Sequence, residues 1–155
     1  MNTAEVLKKT YIFYTLTDDE LAVLSEHAQV VDFPKDSVIF REGDDGGSLY
    51  VVKSGKIAVK KSLGEGREAN LVDLTQFFFF GEISLFDGGK RSATCIAAED
   101  SVCIVLEKAD FWATMLANPL SAHKVYRAIL SVHTNAIRRA NDRFRKFLGQ
   151  ALDNV

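Results

Sequence analysis

Residues 80–94 hold the side chains most suited to binding chemistry. A carboxylate, Glu82, stands nine residues before a guanidinium, Arg91, and a glycine, Gly81, precedes the carboxylate. Glycine lets the backbone come close to a ligand, and a guanidinium can grip two phosphate oxygens at once. The carboxylate repels a phosphate, but it accepts hydrogen bonds from sugar hydroxyls. The segment therefore predicts a site for a ligand that contains one sugar and one phosphate.

Spacing alone leaves two interpretations of this segment open. In the first, residues 82–86 form about one helical turn whose free N–H groups favour an anion. Arg91 then adds its charge to the anion site, and we expect it to contribute to binding and little to fold stability. In the second, Glu82 and Arg91 form a local ion pair that fastens a turn.

The complete motif favours the first interpretation, because it resembles the phosphate-binding cassette of cyclic nucleotide-binding domains. This family includes domains of bacterial catabolite activator proteins, protein kinase A regulatory subunits and cyclic nucleotide-gated channels. Its cassette reads approximately F-G-E-[LI]-[AS]-L, a short variable loop, then R-[AST]-A-[TS]. Residues 80–85 and 91–94 fill every one of those places.

The resemblance implies a role for each candidate residue. Glu82 would bind the ribose 2′-hydroxyl and Arg91 the cyclic phosphate, and polar residues of the last helix would select the base. The candidate ligand-binding residues are Gly81, Glu82, Ile83, Ser84, Arg91, Ser92 and Ala93 in the cassette, and Thr134, Asn135 and Arg138 on the last helix. We expect cAMP as the ligand, with cGMP as the alternative because Ser92 can contact guanine, and we expect no cofactor and no metal.

One position departs from the family pattern. Family members usually carry a glycine about five residues before the cassette glutamate, where this chain has Phe77. Phe77 opens a run of four phenylalanines, and such a run predicts a strand buried on both faces. The path of the chain into the cassette is therefore expected to differ slightly from the family's.

The rest of the chain predicts an α+β fold. Residues 17–20 have the form of a capping box before a helix at about residues 18–28, and short alternating runs with turns follow from residue 29. Such runs predict an antiparallel barrel or sandwich, and the resemblance implies the double-stranded jelly roll. We expect one cyclic nucleotide-binding domain over residues 1–155: N-terminal helices in 1–28, a β-roll in 29–108 with the cassette at 80–94, and C-terminal helices in 109–155.

The last helix is predicted to be long and amphipathic. Apolar residues recur at threes and fours from Leu120 to about Leu148 without a break. Members of this stripe are Ala122, Val125, Ile129, Val132, Ala136, Ala140, Phe144 and Phe147. The stripe can cover the barrel or pair with a second copy, and we expect a homodimer formed through it.

Composition narrows the class of protein. The 155 residues are 47% hydrophobic with mixed charge, enough for a sizeable core. No apolar run approaches the roughly 20 residues that span a bilayer, and the N-terminus lacks a signal-peptide core, so we expect a cytoplasmic protein. Cys95 and Cys103 lie in strand-like runs and are expected to be buried thiols rather than disulfide or metal ligands.

Charge is unevenly distributed along the chain. Residues 121–155 carry seven basic and two acidic residues, a net +5, which leaves −7 for residues 1–120. A solvated polar face explains this tail most simply, although an acidic partner, nucleic acid or anionic lipid would also fit. We expect no DNA-binding domain, because no room follows Val155 for a helix-turn-helix unit.

These features predict a non-enzymatic regulatory domain for signal transduction. The three histidines form no catalytic motif, and nucleophile, P-loop and dinucleotide signatures are absent. Binding of a cyclic nucleotide would be reported through the last helix to an unknown downstream protein. The alternatives are a ligand-free dimerisation or docking module with the same fold, and the regulatory domain of a longer channel or kinase.

Overall fold

The computed structural model describes residues 1–153 and contains five helices and eight strands in that range. The helices are α1 Thr3–Lys9, α2 Asp18–Glu26, α3 Glu82–Asp87, α4 Lys108–Ala117 and α5 Pro119–Asp153. The strands are β1 Ala28–Phe33, β2 Val38–Phe40, β3 Ser48–Ser54, β4 Ile57–Gly64, β5 Arg67–Leu74, β6 Phe79–Phe80, β7 Thr94–Ala97 and β8 Ser101–Glu107.

The strands form two four-stranded antiparallel sheets. One has the order β1-β8-β3-β6 and the other β2-β7-β4-β5. A buried cluster with members in both sheets, among them Val52, Ile57, Phe80, Cys95 and Cys103, fills the space between them. The predicted α+β jelly roll is therefore confirmed, as a roll of two sheets rather than a closed barrel.

A second core joins the first sheet to the helices. Side chains alternate between the two faces of a strand, so Leu49 and Val51 of β3 point away from the cluster that contains Val52. Ile104 and Leu106 of β8 lie on the same outer face, and apolar residues of α1, α2, α4 and α5 pack on it. This sheet is thus buried on both faces. It supports the cassette, because β6, the strand that leads into the cassette, pairs with β3.

The helix α5 is longer than predicted and only its first part is packed. Val125, Ala128 and Ile129 are buried, whereas every residue from 135 to 152 is exposed. Phe144 and Phe147 of the predicted stripe are 62% and 65% exposed. The stripe therefore covers the sheet through its first half and leaves its second half uncovered.

The prediction for the four phenylalanines is wrong in its details. Only Phe79 and Phe80 form a strand, and Phe78 is exposed. Phe77 has a φ of 71°, a left-handed conformation that β-branched or bulky residues rarely adopt. Family members usually have glycine at this position. The chain has a left-handed turn here, and Phe77 adopts a conformation that glycine accommodates more easily.

Two local predictions are confirmed. Thr17 and Glu20 form the capping box at the start of α2. Cys95 and Cys103 are free and buried, and burial raises the pKa of each thiol to about 12.

Among the described residues, no helix is long and apolar enough to cross a membrane.

Glu20 also joins α2 to the first turns of α5. Lys124 Nζ donates to its two oxygens at 3.0 and 2.7 Å, and the Ser121 hydroxyl donates to it at 2.7 Å. Burial by itself raises the pKa of Glu20, but hydrogen bonds from Lys124, Thr17 and Ser121 outweigh it and lower the pKa to about 2. The charged carboxylate therefore helps to hold the base of α5.

Replacing Glu20 with glutamine is expected to lower the free energy of unfolding near neutral pH by about 1–2 kcal/mol, after allowance for solvent screening. The folded pKa lies below the ordinary value of 4.5. The stabilisation is therefore present above that pH and is lost as the pH falls towards the folded pKa. Urea unfolding on both sides of this window should show a smaller pH dependence for Glu20→Gln, while Asp19→Asn, an exposed neighbour, keeps the original one. An unchanged pH dependence in Glu20→Gln would contradict this assignment.

Candidate functional site

The cassette lies at the end of β6, where the chain turns sharply into α3. Gly81 is the residue before this helix and has a φ of 80°. A Cβ atom there would lie 2.7 Å from Arg91 Nη1 and 2.9 Å from the carbonyl oxygen of Ser48. Glycine is therefore required twice, by the left-handed backbone and by the close approach of Arg91.

Arg91 is buried beneath the cassette, with 5% of its surface exposed. Its Nη1 donates to the carbonyl oxygens of Ser48 and Gly81, both at 2.9 Å, and to Ser84 Oγ at 3.1 Å. The guanidinium carbon lies 4.2 Å from the ring centroid of Phe40, within the range of a cation–π contact. Burial lowers the pKa of Arg91, yet a guanidinium keeps its charge in proteins.

The guanidinium is not fully satisfied by the protein. Arg91 Nε is buried and has no hydrogen-bond partner within the described part of the chain. A buried donor without a partner is costly, and more so when it belongs to a charged group. An anion at this position would supply the missing acceptor, so the geometry suits a phosphate.

Glu82 is the first residue of α3 and contacts α5 instead of Arg91. Its Oε1 lies 3.5 Å from His133 Nε2, and no Glu82–Arg91 ion pair is present among the described residues. Burial raises the pKa of Glu82, while a backbone hydrogen bond and the charges of His133 and Arg91 oppose the rise. The local ion pair considered from the spacing is thus not formed.

A cavity of about 470 Å³ opens beside the two charged groups, a size suited to a small ligand. All seven cassette candidates line it: Gly81, Glu82, Ile83, Ser84, Arg91, Ser92 and Ala93. The remaining wall is mostly apolar and comes from β2, β4, β5, β6 and β7. One cavity therefore combines a cation, a carboxylate and an apolar surface.

The predicted residues of the last helix lie elsewhere. Thr134, Asn135 and Arg138 line a separate, open cavity of about 310 Å³, and none of them lines the cassette cavity. Their proposed contact with a base would require a movement of α5 or a second copy of the chain. The structure thus brings the cassette residues together and leaves these three apart from them.

Sequence reasoning missed several residues of the site. Ser48 and Phe40 hold Arg91, and His133 contacts Glu82. Lys61 borders the cavity and donates to the Ser92 carbonyl at 2.8 Å. None of these residues belongs to the cassette motif. Only His133 could have been found from the sequence, because helical periodicity places it about 100° around α5 from the predicted Thr134.

Comparison with known proteins shows the family directly. The cyclic nucleotide-binding domain profile matches residues 30–118, more than half of the chain. The chain therefore belongs to the cyclic nucleotide-binding domain family.

Individual relatives support this assignment. The cyclic AMP receptor protein of Thermus thermophilus is 34% identical over 119 residues, which cover 77% of this chain and 55% of the relative. The N-terminal domain of a transcriptional regulator from Streptomyces coelicolor superposes with a TM-score of 0.75 at 31% identity, covering 90% of this chain and 94% of that one. The regulatory domain of Toxoplasma gondii PKA with cAMP gives 0.68 at 27% identity, covering 72% and 42%. The chain spans 55% and 60% of the length of two curated relatives that it matches.

Proposed function

We propose that this chain is a non-enzymatic sensor that binds a cyclic purine nucleotide, with cAMP preferred, and reports binding through α5. The single observation that carries the proposal is Arg91. Its guanidinium is buried at the edge of the cassette cavity, and its Nε has no acceptor among the described residues. A cyclic phosphate would supply one, and Glu82 on the same cavity wall would accept a hydrogen bond from the ribose.

The proposed signal is a shift between two positions of α5. A ligand changes such an equilibrium only if it binds one position more tightly than the other. The contact between Glu82 and His133 gives the cassette a direct connection to α5. Residues 135–152 are exposed, so the outer part of the helix is accessible to a downstream protein.

Calorimetric titration of the full chain with cAMP and with cGMP tests the proposal. We expect saturable binding of both, with cAMP tighter by a few-fold to about 100-fold, as one or two partly exposed hydrogen bonds allow. Replacing Thr134 and Asn135 with alanine should narrow that ratio while phosphate binding persists, if α5 or a second copy brings these residues to the base. An unchanged ratio would leave Ser92 as the discriminating residue, and absence of binding would reject the sensor.

A second candidate is a docking module that forms a homodimer through α5 and binds no nucleotide. The apolar side chains on the exposed part of the helix favour it: Ile137, Phe144, Phe147, Leu148 and Leu152. The three acceptors that the protein already offers Arg91 Nη1 favour it too. The titration with cAMP separates the candidates, because this module binds no nucleotide, and sedimentation measures whether the chain dimerises.

The third possibility is that the chain is the regulatory part of a longer channel or kinase. Several relatives match over a minor share of their length, such as the 31% of a protein kinase regulatory subunit from Candida albicans. In that case α5 would connect the sensor to the next part of the protein. The titration above applies unchanged, because the cassette and its cavity lie within residues 40–95.

A further inference from the structure

The contact between His133 and Glu82 connects α5 to the carboxylate proposed for the sugar. The Nε2–Oε1 distance is 3.5 Å, and 35% and 15% of the two side chains are exposed. A pair this close interacts when the imidazole is protonated, and partial burial weakens its screening. The Glu82 carboxylate can therefore bind either the His133 imidazole of α5 or a hydroxyl of a ligand.

The charged and titratable groups around this pair are few. On α5, the neighbours of His133 one turn away are uncharged: Ile129, Leu130, Ala136 and Ile137. From the loop before β7, Arg91 faces Glu82, and from β4 and β7, Lys61 and Cys95 face the cavity.

Among the described residues, none of these three groups forms an ion pair with Glu82. Arg91 Nη1 bonds to three protein oxygens, and Lys61 Nζ bonds to Glu42 Oε1 at 2.6 Å. The Cys95 thiol has a pKa of about 12 and stays neutral. Histidine is the side-chain type whose charge changes near neutral pH, and His133 is the histidine in contact with Glu82.

We propose that His133 is a positioning residue that competes with the nucleotide for Glu82. When the imidazole is charged, it holds the carboxylate and keeps α5 against the cassette. When it is neutral, it holds Glu82 more weakly, and the carboxylate is more available to the ribose hydroxyl. This inference rests on the proposed function and adds its regulation by pH.

The competition follows from geometry and charge. A hydroxyl of the sugar must come within about 2.5–3.0 Å of a carboxylate oxygen to form a hydrogen bond. A charged imidazole against the same carboxylate binds it more strongly than a neutral hydroxyl does. A hydroxyl that approaches Oε1 must therefore displace the imidazole from this oxygen, and the cost of that displacement is larger at low pH.

Titration of the full chain with cAMP across about pH 5.5 to 8.5 tests this. The affinity of the unmodified protein should rise with pH. The ratio of the affinities at the two ends of this range should be about 1.5- to 5-fold smaller in His133→Gln, as expected for a partly exposed ion pair. The matched control is His123→Gln, a histidine on the same helix that lines a different groove. This control should keep the original pH profile.

Other outcomes overturn the proposal in distinct ways. If His133→Gln keeps the pH profile, the histidine does not compete for Glu82. If affinity increases at low pH and His133→Gln removes that increase, His133 contacts the phosphate instead. Absence of cAMP binding at every pH rejects the proposed function itself.

A measurement without ligand isolates the pair. Thermal unfolding of the unmodified protein, Glu82→Gln, His133→Gln and the double variant forms a double-mutant cycle. We expect stronger coupling between the two positions near pH 5.5 than near pH 8.5, because a charged imidazole binds the carboxylate more strongly than a neutral one. Coupling that is absent at both pH values would show that the contact does not form, whatever the ligand does.

Discussion

Replacement of Arg91 with alanine is expected to remove most of the affinity for cAMP. A buried guanidinium that meets a phosphate makes charge-assisted hydrogen bonds, and no other cation of the cavity is free to replace it, since Lys61 is held by Glu42. The expected loss is about 2–4 kcal/mol, or roughly 30- to 1000-fold in the dissociation constant. Calorimetric titration of the folded variant measures it.

The structure corrects one expectation about this variant. From the sequence, Arg91 should contribute little to stability, but its Nη1 bonds to Ser48 and Gly81 and its guanidinium packs on Phe40. Loss of these interior bonds should lower the free energy of unfolding by about 1–3 kcal/mol. Affinity must therefore be compared below the unfolding transition of each variant.

Two further substitutions make the test specific. Arg91→Lys keeps the charge but loses the planar fork, so it should retain part of the stability and still bind cAMP weakly. Lys90→Ala is the control, because Lys90 is the adjacent cation and pairs with Asp45 on the exposed side of the loop. If Arg91→Ala binds cAMP as the unmodified protein does, the guanidinium has only a structural role and the docking module becomes the better candidate.

Features encoded in short segments could be predicted from the sequence. The cassette depends on residues 80–94, and the capping box on Thr17 and Glu20, so the local spacing carries the information. The short alternating runs with turns from residue 29 predicted antiparallel strands for the same reason. These predictions succeeded because the physical cause lies within a few residues of its effect.

The missed features depend on contacts between distant parts of the chain. His133 is 51 residues from Glu82 in sequence, and Ser48 is 43 from Arg91. Which side of α5 faces the cassette is set by the packing of Val125 and Ile129 on the sheet. A helix turns by about 100° per residue, so sequence alone could not decide between His133 and Thr134.

Gly81 is the second position where a small change should have a large effect. Alanine there must adopt a φ near 80°, which costs an L-residue about 1–2 kcal/mol. Its Cβ would also lie 2.7 Å from Arg91 Nη1 and 2.9 Å from the backbone oxygen of Ser48. Because the backbone atom cannot move as a side chain does, we expect the total loss of stability to reach about 2–4 kcal/mol.

Gly88 provides a control with the same backbone conformation and no crowding. Its φ is 71°, and a Cβ atom there would meet nothing within 4 Å. Gly88→Ala should therefore cost only the backbone term of about 1–2 kcal/mol and leave cAMP affinity nearly unchanged. Gly81→Ala should lose at least about tenfold in affinity as well, because its Cβ displaces the guanidinium from the cavity wall. Chemical unfolding and cAMP titration of both variants measure the difference, and equal effects at the two positions would mean that the close approach of Gly81 to Arg91 is not needed for binding.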